Sequence, residues 1–210
     1  IFHGWFVPLA ATRPNTSFKT LSLLAPAIRT DDFAIRLLPQ MGAAVAKTTI
    51  FTMVKDRELA DSLGPFYGKS LLYLIYHALE PRAETPILGL DECLHADADL
   101  QAAFGPMGQS STVGGSVVWA VTRATSGPDA STATSHGGFD NDPPTMNAVI
   151  RRVLGLNHEP LEREFPAGSR AAPTVIELRD PIDDLPEPWR TQLSGRPWPD
   201  QQPCMMPTPA

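Results

Sequence analysis

Apolar and polar positions along this chain change rhythm several times, and each change marks a predicted element. Residues 1 to 11 are apolar at most positions and stop ahead of Pro14 and Asn15, which suits a buried helix closed by a turn, although Gly4 and Pro8 weaken it. Residues 18 to 24 alternate and then run apolar through Leu23 and Leu24 to Ala25-Pro26, the pattern of a central strand ending at its carboxyl edge. Thr30-Asp31-Asp32 offers helix caps before Phe33, Ile35, Leu37 and Leu38, and Pro39 bends or ends that helix. Thr48 to Met53 is β-branched and aromatic and predicts a second strand, after which Lys55 to Asp61 turns sharply polar. Ser70 to Glu80 is apolar almost all round, predicting a helix buried on most sides and stopped by Pro81. Residues 84 to 112 are mixed, with a short apolar piece from Pro86 to Leu90. Gly115 to Val121 then predicts a third strand. A small, polar loop from Thr122 to Thr134 leads into Ser135-His136-Gly137-Gly138-Phe139-Asp140-Asn141-Asp142. Pro143-Pro144 opens a helix through Met146, Val149, Ile150 and Val153 that stops at Gly155.

Strands alternating with helices imply an α/β fold, a mainly parallel sheet covered by helices on both faces. At 210 residues and 42% hydrophobic, the chain is expected to bury one core in one domain, residues 1–156, followed by a tail, residues 157–210. The tail is proline-dense and without periodicity, so it is expected to be extended or disordered. The first residues, Ile1 to Val7, are already apolar and amphipathic, with neither the charged start nor the cleavage site of a signal peptide. They read as a chain entered mid-fold, and the expected sheet is incomplete at its N-terminus.

Charge narrows the partners. Lys and Arg number 17 against 23 Asp and Glu, for a net charge of -6 with no basic run, so nucleic acid is not an expected partner. No apolar run reaches the roughly 18 residues that span a bilayer. Cys93 and Cys204 lie far apart in unlike sequence, the first in an expected helix and the second in the proline-rich tail, implying neither a disulfide framework nor a zinc cluster, and a reducing, cytoplasmic compartment fits. His3, His77, His95 and His158 share no ligand spacing, and no glycine-rich dinucleotide or phosphate loop is present, so neither metal nor cofactor is expected.

Three polar clusters fall where open parallel sheets place their active sites, outside the carboxyl ends of strands: Arg29 to Asp32, Asp56 to Asp61, and Ser135 to Asp142. An acid after one strand and a histidine after the next matches the late half of a Ser, acid, His triad in that chain order. A loop histidine beside two glycines is also a common turn residue. Asp140-Asn141-Asp142 offers oxygen ligands, but the alternating spacing and terminal Glu of a calcium loop are missing. Fixing the histidine loop or capping the next helix is the role expected of Asp140 and Asp142. Cys93, flanked by acids that raise a thiol pKa, is not expected to be a nucleophile.

Leu23-Leu24-Ala25-Pro26-Ala27-Ile28 with Asp32-Phe33, Phe51-Thr52-Met53 before the acidic turn, Tyr67-Gly68-Lys69-Ser70-Leu71-Leu72-Tyr73-Leu74, and His136-Gly137-Gly138-Phe139-Asp140 together resemble a bacterial family of the α/β-hydrolase superfamily over roughly residues 1 to 155. The resemblance implies a three-layer hydrolase fold, a small ester or amide substrate, and a nucleophile elbow just upstream of Ile1. Gly114-Gly115-Ser116-Val117-Val118 does not replace that elbow, because the second glycine of Gly-x-Ser-x-Gly is missing and Ser116 opens a strand. This chain alone would then hold an acid and a base without their serine and be inactive. His136 is the implied base. Asp56, three residues beyond Met53, is the first choice of acid and Asp61 the second, while Glu58 shares their cluster. At least two of these three acids are expected only to favour a helix N-terminus. A hydrolase-like scaffold that binds without catalysis is the alternative.

Overall fold

The computed structural model of the chain describes residues 17–63, 67–105, 111 and 113–166. The chain divides into two units, and all of these residues lie in the first, Ile1–Ser169. The expected helix over residues 1–11 and most of the expected tail lie outside the described residues.

Three strands, β1 (Leu21–Leu24), β2 (Thr48–Met53) and β3 (Gly115–Ala120), form one parallel sheet in the order β1-β2-β3. Leu21 to Leu24 pair with Thr48 to Phe51, and Thr48 to Met53 pair with Gly115 to Ala120. The central strand is therefore β2, not β1: all six β2 residues are buried, whereas β1 is half-buried throughout. The expected strand from residue 18 also begins later, at Leu21, with Phe18 making only an isolated bridge to Val45.

Side chains of successive strand residues point to opposite faces, and the core divides accordingly. On one face Ile50 and Val117 meet Phe33 and Leu37 after β1 and Leu94, Leu100 and Phe104 before β3. These helical residues belong to α1 (Thr30–Arg36), α4 (Asp91–Ala96) and α5 (Ala98–Phe104), Leu37 closing α1. On the other face Phe51, Met53, Val118 and Ala120 meet Phe139 and Ala148. Ala148 belongs to α6 (Pro143–Leu154) and Phe139 to the 3-10 turn His136–Asn141. The sheet thus carries helices on both faces, an α/β arrangement.

Local chemistry sets the helix boundaries. Helix α6 starts at the Pro143-Pro144 pair, with the Asp142 side chain accepting from Thr145 N–H, and ends at Gly155 in the left-handed conformation (φ 74°). Asp97 caps α5 in the same way, accepting from Asp99 and Leu100 N–H. At α1 the expected caps sit one position too late. Arg29 is the capping residue, Asp31 and Asp32 lie within the first turn, and Asp31 pairs with Arg29. Helix α2 (Lys55–Ala60) leaves the end of β2 directly.

The segment expected to be a helix buried on most sides is α3 (Leu71–Leu74) followed by a π turn (Ile75–Leu79). Leu72 and Tyr73 pack against Ile87, Leu90 and Cys93, but Leu79 is 62% exposed. The wider turn carries His77, Ala78 and Leu79 out to the surface, so this segment covers one small core instead of being surrounded.

Candidate functional site

Two of the sequence-predicted residues meet at the carboxyl end of the sheet. Asp61 follows α2, which leaves β2, and His136 opens the 3-10 turn on the connection after β3. The Asp61 carboxylate accepts a hydrogen bond from the His136 backbone N–H at 2.7 Å, joining positions 75 residues apart. Its other oxygen accepts from Ser62 N–H at 2.8 Å. The imidazole is half-buried, and its Nδ1 is buried without a hydrogen-bond partner. Burial pushes the His136 pKa below its ordinary 6.5, with the nearby Asp61 charge opposing that shift, so the ring is neutral at physiological pH.

Asp56 does not join this pair. It sits exposed in the first turn of α2, where an acid complements the positive helix end. Glu58 is fully buried from the same turn, neither of its oxygens has a hydrogen-bond partner, and burial lifts its pKa to about 7. The charges of Asp61 and Glu92 add to that rise. A polar seam continues around the edge: Tyr73 donates to Glu92 at 2.6 Å, Lys55 Nζ stands 3.7 Å from Glu92, and Lys55 N–H donates to Asp91 at 3.1 Å. Asp91 also pairs with His95, whose ring stacks on Trp119. Cys93 is buried beneath this seam, and burial, followed by the charge of Glu92, raises its pKa and keeps it a thiol.

The loop that carries His136 is held from behind by Asp142. Its carboxylate accepts from Thr132 N–H at 2.8 Å and from the Thr132 hydroxyl, and from Thr145 N–H at 3.0 Å and Thr145 Oγ1 at 2.6 Å. Ser131 Oγ lies 2.7 Å from Thr145 Oγ1 in the same buried network. Burial works against the charge on Asp142, but the hydrogen bonds from Thr132 and Thr145 outweigh it and hold its pKa below the ordinary value. Asp142 therefore both caps α6 and anchors the strand-to-loop segment, the role expected of it. Asp140 accepts from the Asn141 side chain at 3.2 Å.

Comparison with protein-family models, with curated proteins and with solved structures gives no match for this chain. Among the described residues no group of three His, Cys, Asp or Glu side chains is placed to hold a metal ion. No helix among them is long and apolar enough to cross a membrane. Ser116 lies inside β3 with its hydroxyl 3.1 Å from Thr49 Oγ1, at the opposite end of the sheet from His136. Sequence reasoning missed the isolation of Glu58 and the enclosure of Arg152 at that opposite end. A visible sign of the second was the pair of hydroxyl residues, Thr49 and Ser116, on neighbouring strands.

Proposed function

We propose that this chain carries the acid and histidine of an α/β-hydrolase-type site that cleaves a small ester or amide. The observation supporting it is the Asp61–His136 contact at the carboxyl edge of a parallel sheet, where such sites form. In this reading the neutral His136 imidazole takes the proton of a serine hydroxyl as that oxygen attacks the substrate carbonyl, then returns it to the leaving group. A water deacylates the enzyme by the same route in reverse order. Asp61 is the acid in preference to Asp56, because it reaches the histidine segment. Its charge stabilises the imidazolium formed during attack, and its hydrogen bond sets the position of the His136 backbone. The serine is assigned to a Gly-x-Ser-x-Gly elbow in residues preceding Ile1.

The test uses the protein with its preceding residues, p-nitrophenyl acetate as substrate and a fluorophosphonate probe for the serine. His136→Ala is expected to lower kcat/KM by about 10²- to 10⁴-fold, with Asp61→Asn lowering it less. Parent-like turnover in the His136→Ala variant rejects the assignment. A second reading, a binding scaffold without catalysis, draws on the same geometry, since Asp61 bonds backbone N–H groups and pins the loop as a scaffold requires. An intact upstream sequence without the serine elbow, and no probe labelling, would favour that reading.

A further inference from the structure

The amino end of the sheet, opposite the Asp61–His136 pair, holds a cavity of about 530 Å³. Thr20, Lys47, Thr49, Ser116, Asp129 and Arg152 supply its polar wall. Arg152 is the organising group. Its side chain is 14% exposed, and its guanidinium stands 5.7 Å from the centre of the Phe51 ring. Nε donates to the Pro128 carbonyl at 2.7 Å, one Nη donates to Thr49 Oγ1 at 2.7 Å, and the other pairs with Asp129. These bonds fix the fork in place and orient it along the cavity wall.

Two further cations stand at the same place. Lys47 lines the cavity directly, and Lys19 Nζ lies 3.2 Å from where a side chain on Gly155, another lining residue, would begin. Among the described residues neither lysine forms an ion pair. Asp129 is the carboxylate of the lining, and Glu159 stands nearby, bonded to Asn157 N–H at 2.6 Å. The end of α6 also faces this space, but its Arg151 and Arg152 carbonyls are occupied by Leu156 and Gly155 N–H. Taking the lining and its rim together, three cations, Lys19, Lys47 and Arg152, oppose two carboxylates, Asp129 and Glu159, leaving an excess of one positive charge.

We propose that this cavity binds a small, soluble phosphate monoester, its phosphoryl group held by Lys47, Arg152 and the hydroxyls of Thr20, Thr49 and Ser116. A phosphate monoester carries close to two negative charges at neutral pH and offers three acceptor oxygens, which complements the positive charge and the hydroxyl and lysine donors of the wall. The volume lies within the roughly 300–1,000 Å³ of small-molecule sites and exceeds what a phosphoryl group alone fills. Asp129 and Asn157 then face the organic part, where they accept from hydroxyl or amine groups. The site is independent of the proposed hydrolytic edge.

The test is calorimetric and thermal-shift titration of the full chain at matched ionic strength with inorganic phosphate, phenyl phosphate and acetate. Saturable binding of phosphate and phenyl phosphate is expected, with acetate much weaker. Lys47→Ala, an exposed position that leaves the fold intact, is expected to weaken it about tenfold, while Lys55→Ala at the other edge leaves it unchanged. Absence of saturable binding, an equal response to acetate, or parent-like affinity in Lys47→Ala overturns the proposal. Failure of phenyl phosphate to bind where phosphate does overturns the monoester assignment. Capture by phosphatidic acid vesicles without response to the soluble esters would move the site to a membrane surface and overturn it as well.

Discussion

Replacing Glu58 by Gln isolates the energetic consequence of an acid sealed at the carboxyl edge. Burial raises the Glu58 pKa from an ordinary 4.5 to about 7. Between those values the folded protein keeps a proton that the unfolded chain has released. Stability therefore falls as pH rises through that window and levels off above it, the reverse of what a salt-bridged carboxylate does. Each tenfold change in proton affinity is worth about 1.4 kcal/mol, which sets a ceiling of roughly 3 kcal/mol for the whole window. Relaxation around the ionised group lowers that figure, so about 1–3 kcal/mol is expected. Glu58→Gln keeps the shape and removes the titration. Urea unfolding of parent and variant at about pH 5 and about pH 8 gives four free energies, and their double difference cancels every group common to both proteins. The variant is expected to gain about 1–3 kcal/mol on the parent at the higher pH relative to the lower. An identical gap at both pH values would refute a buried, proton-holding Glu58.

Asp142→Ala removes the N-cap of α6 and four hydrogen bonds to one carboxylate, for an expected loss of roughly 3 kcal/mol measured by urea unfolding. Because the folded pKa of Asp142 is depressed, its contribution is present above the unfolded pKa and is lost as pH falls through the folded value. Asp97→Ala strips the cap from α5 and should cost about 1 kcal/mol in the same assay. Gly115→Ala drives a methyl group into the Ala103 carbonyl oxygen, a backbone atom that cannot swing aside, and is expected to lower stability by roughly 2 kcal/mol or more, read as a fall in Tm.

Legibility in the sequence followed local chemistry. The bounds of β2 and α6 were readable because a β-branched run, a proline pair and a terminal glycine each favour one backbone conformation. The helix around Cys93 was expected and is α4, whereas α5 was hidden in mixed sequence up to Phe104, where each turn buries only a few apolar side chains and Asp97 resets the chain between the two. The segment from Ser70 to Glu80 misled because an apolar surface does not say whether anything covers it. At the site, proximity was the missing quantity. Asp56 and Asp61 look alike in sequence, and one α2 helix separates the exposed acid from the one that meets His136.

The two ends of the sheet divide the charge of this fold, and that division bears on what each end can accept. At the carboxyl end Glu58, Asp61, Asp91 and Glu92 gather beside Lys55, His95 and His136. Burial first, and then the charges of Asp61 and Glu92, drive Glu58 toward its neutral form, and an anion brought there would meet the same repulsion, whereas a neutral ester or amide meets no such barrier. At the amino end the balance reverses, and Arg152 holds its charge in a half-enclosed site by stacking on Phe51 and bonding to Asp129, Thr49 and the Pro128 carbonyl. Burial lowers the Arg152 pKa, and Asp129 opposes part of that shift. One end thus encloses a cation, Arg152, paired with Asp129, and the other a neutral histidine, His136. The polarity follows from the parallel register, which sends every strand's entrance loop to one end and every exit loop to the other.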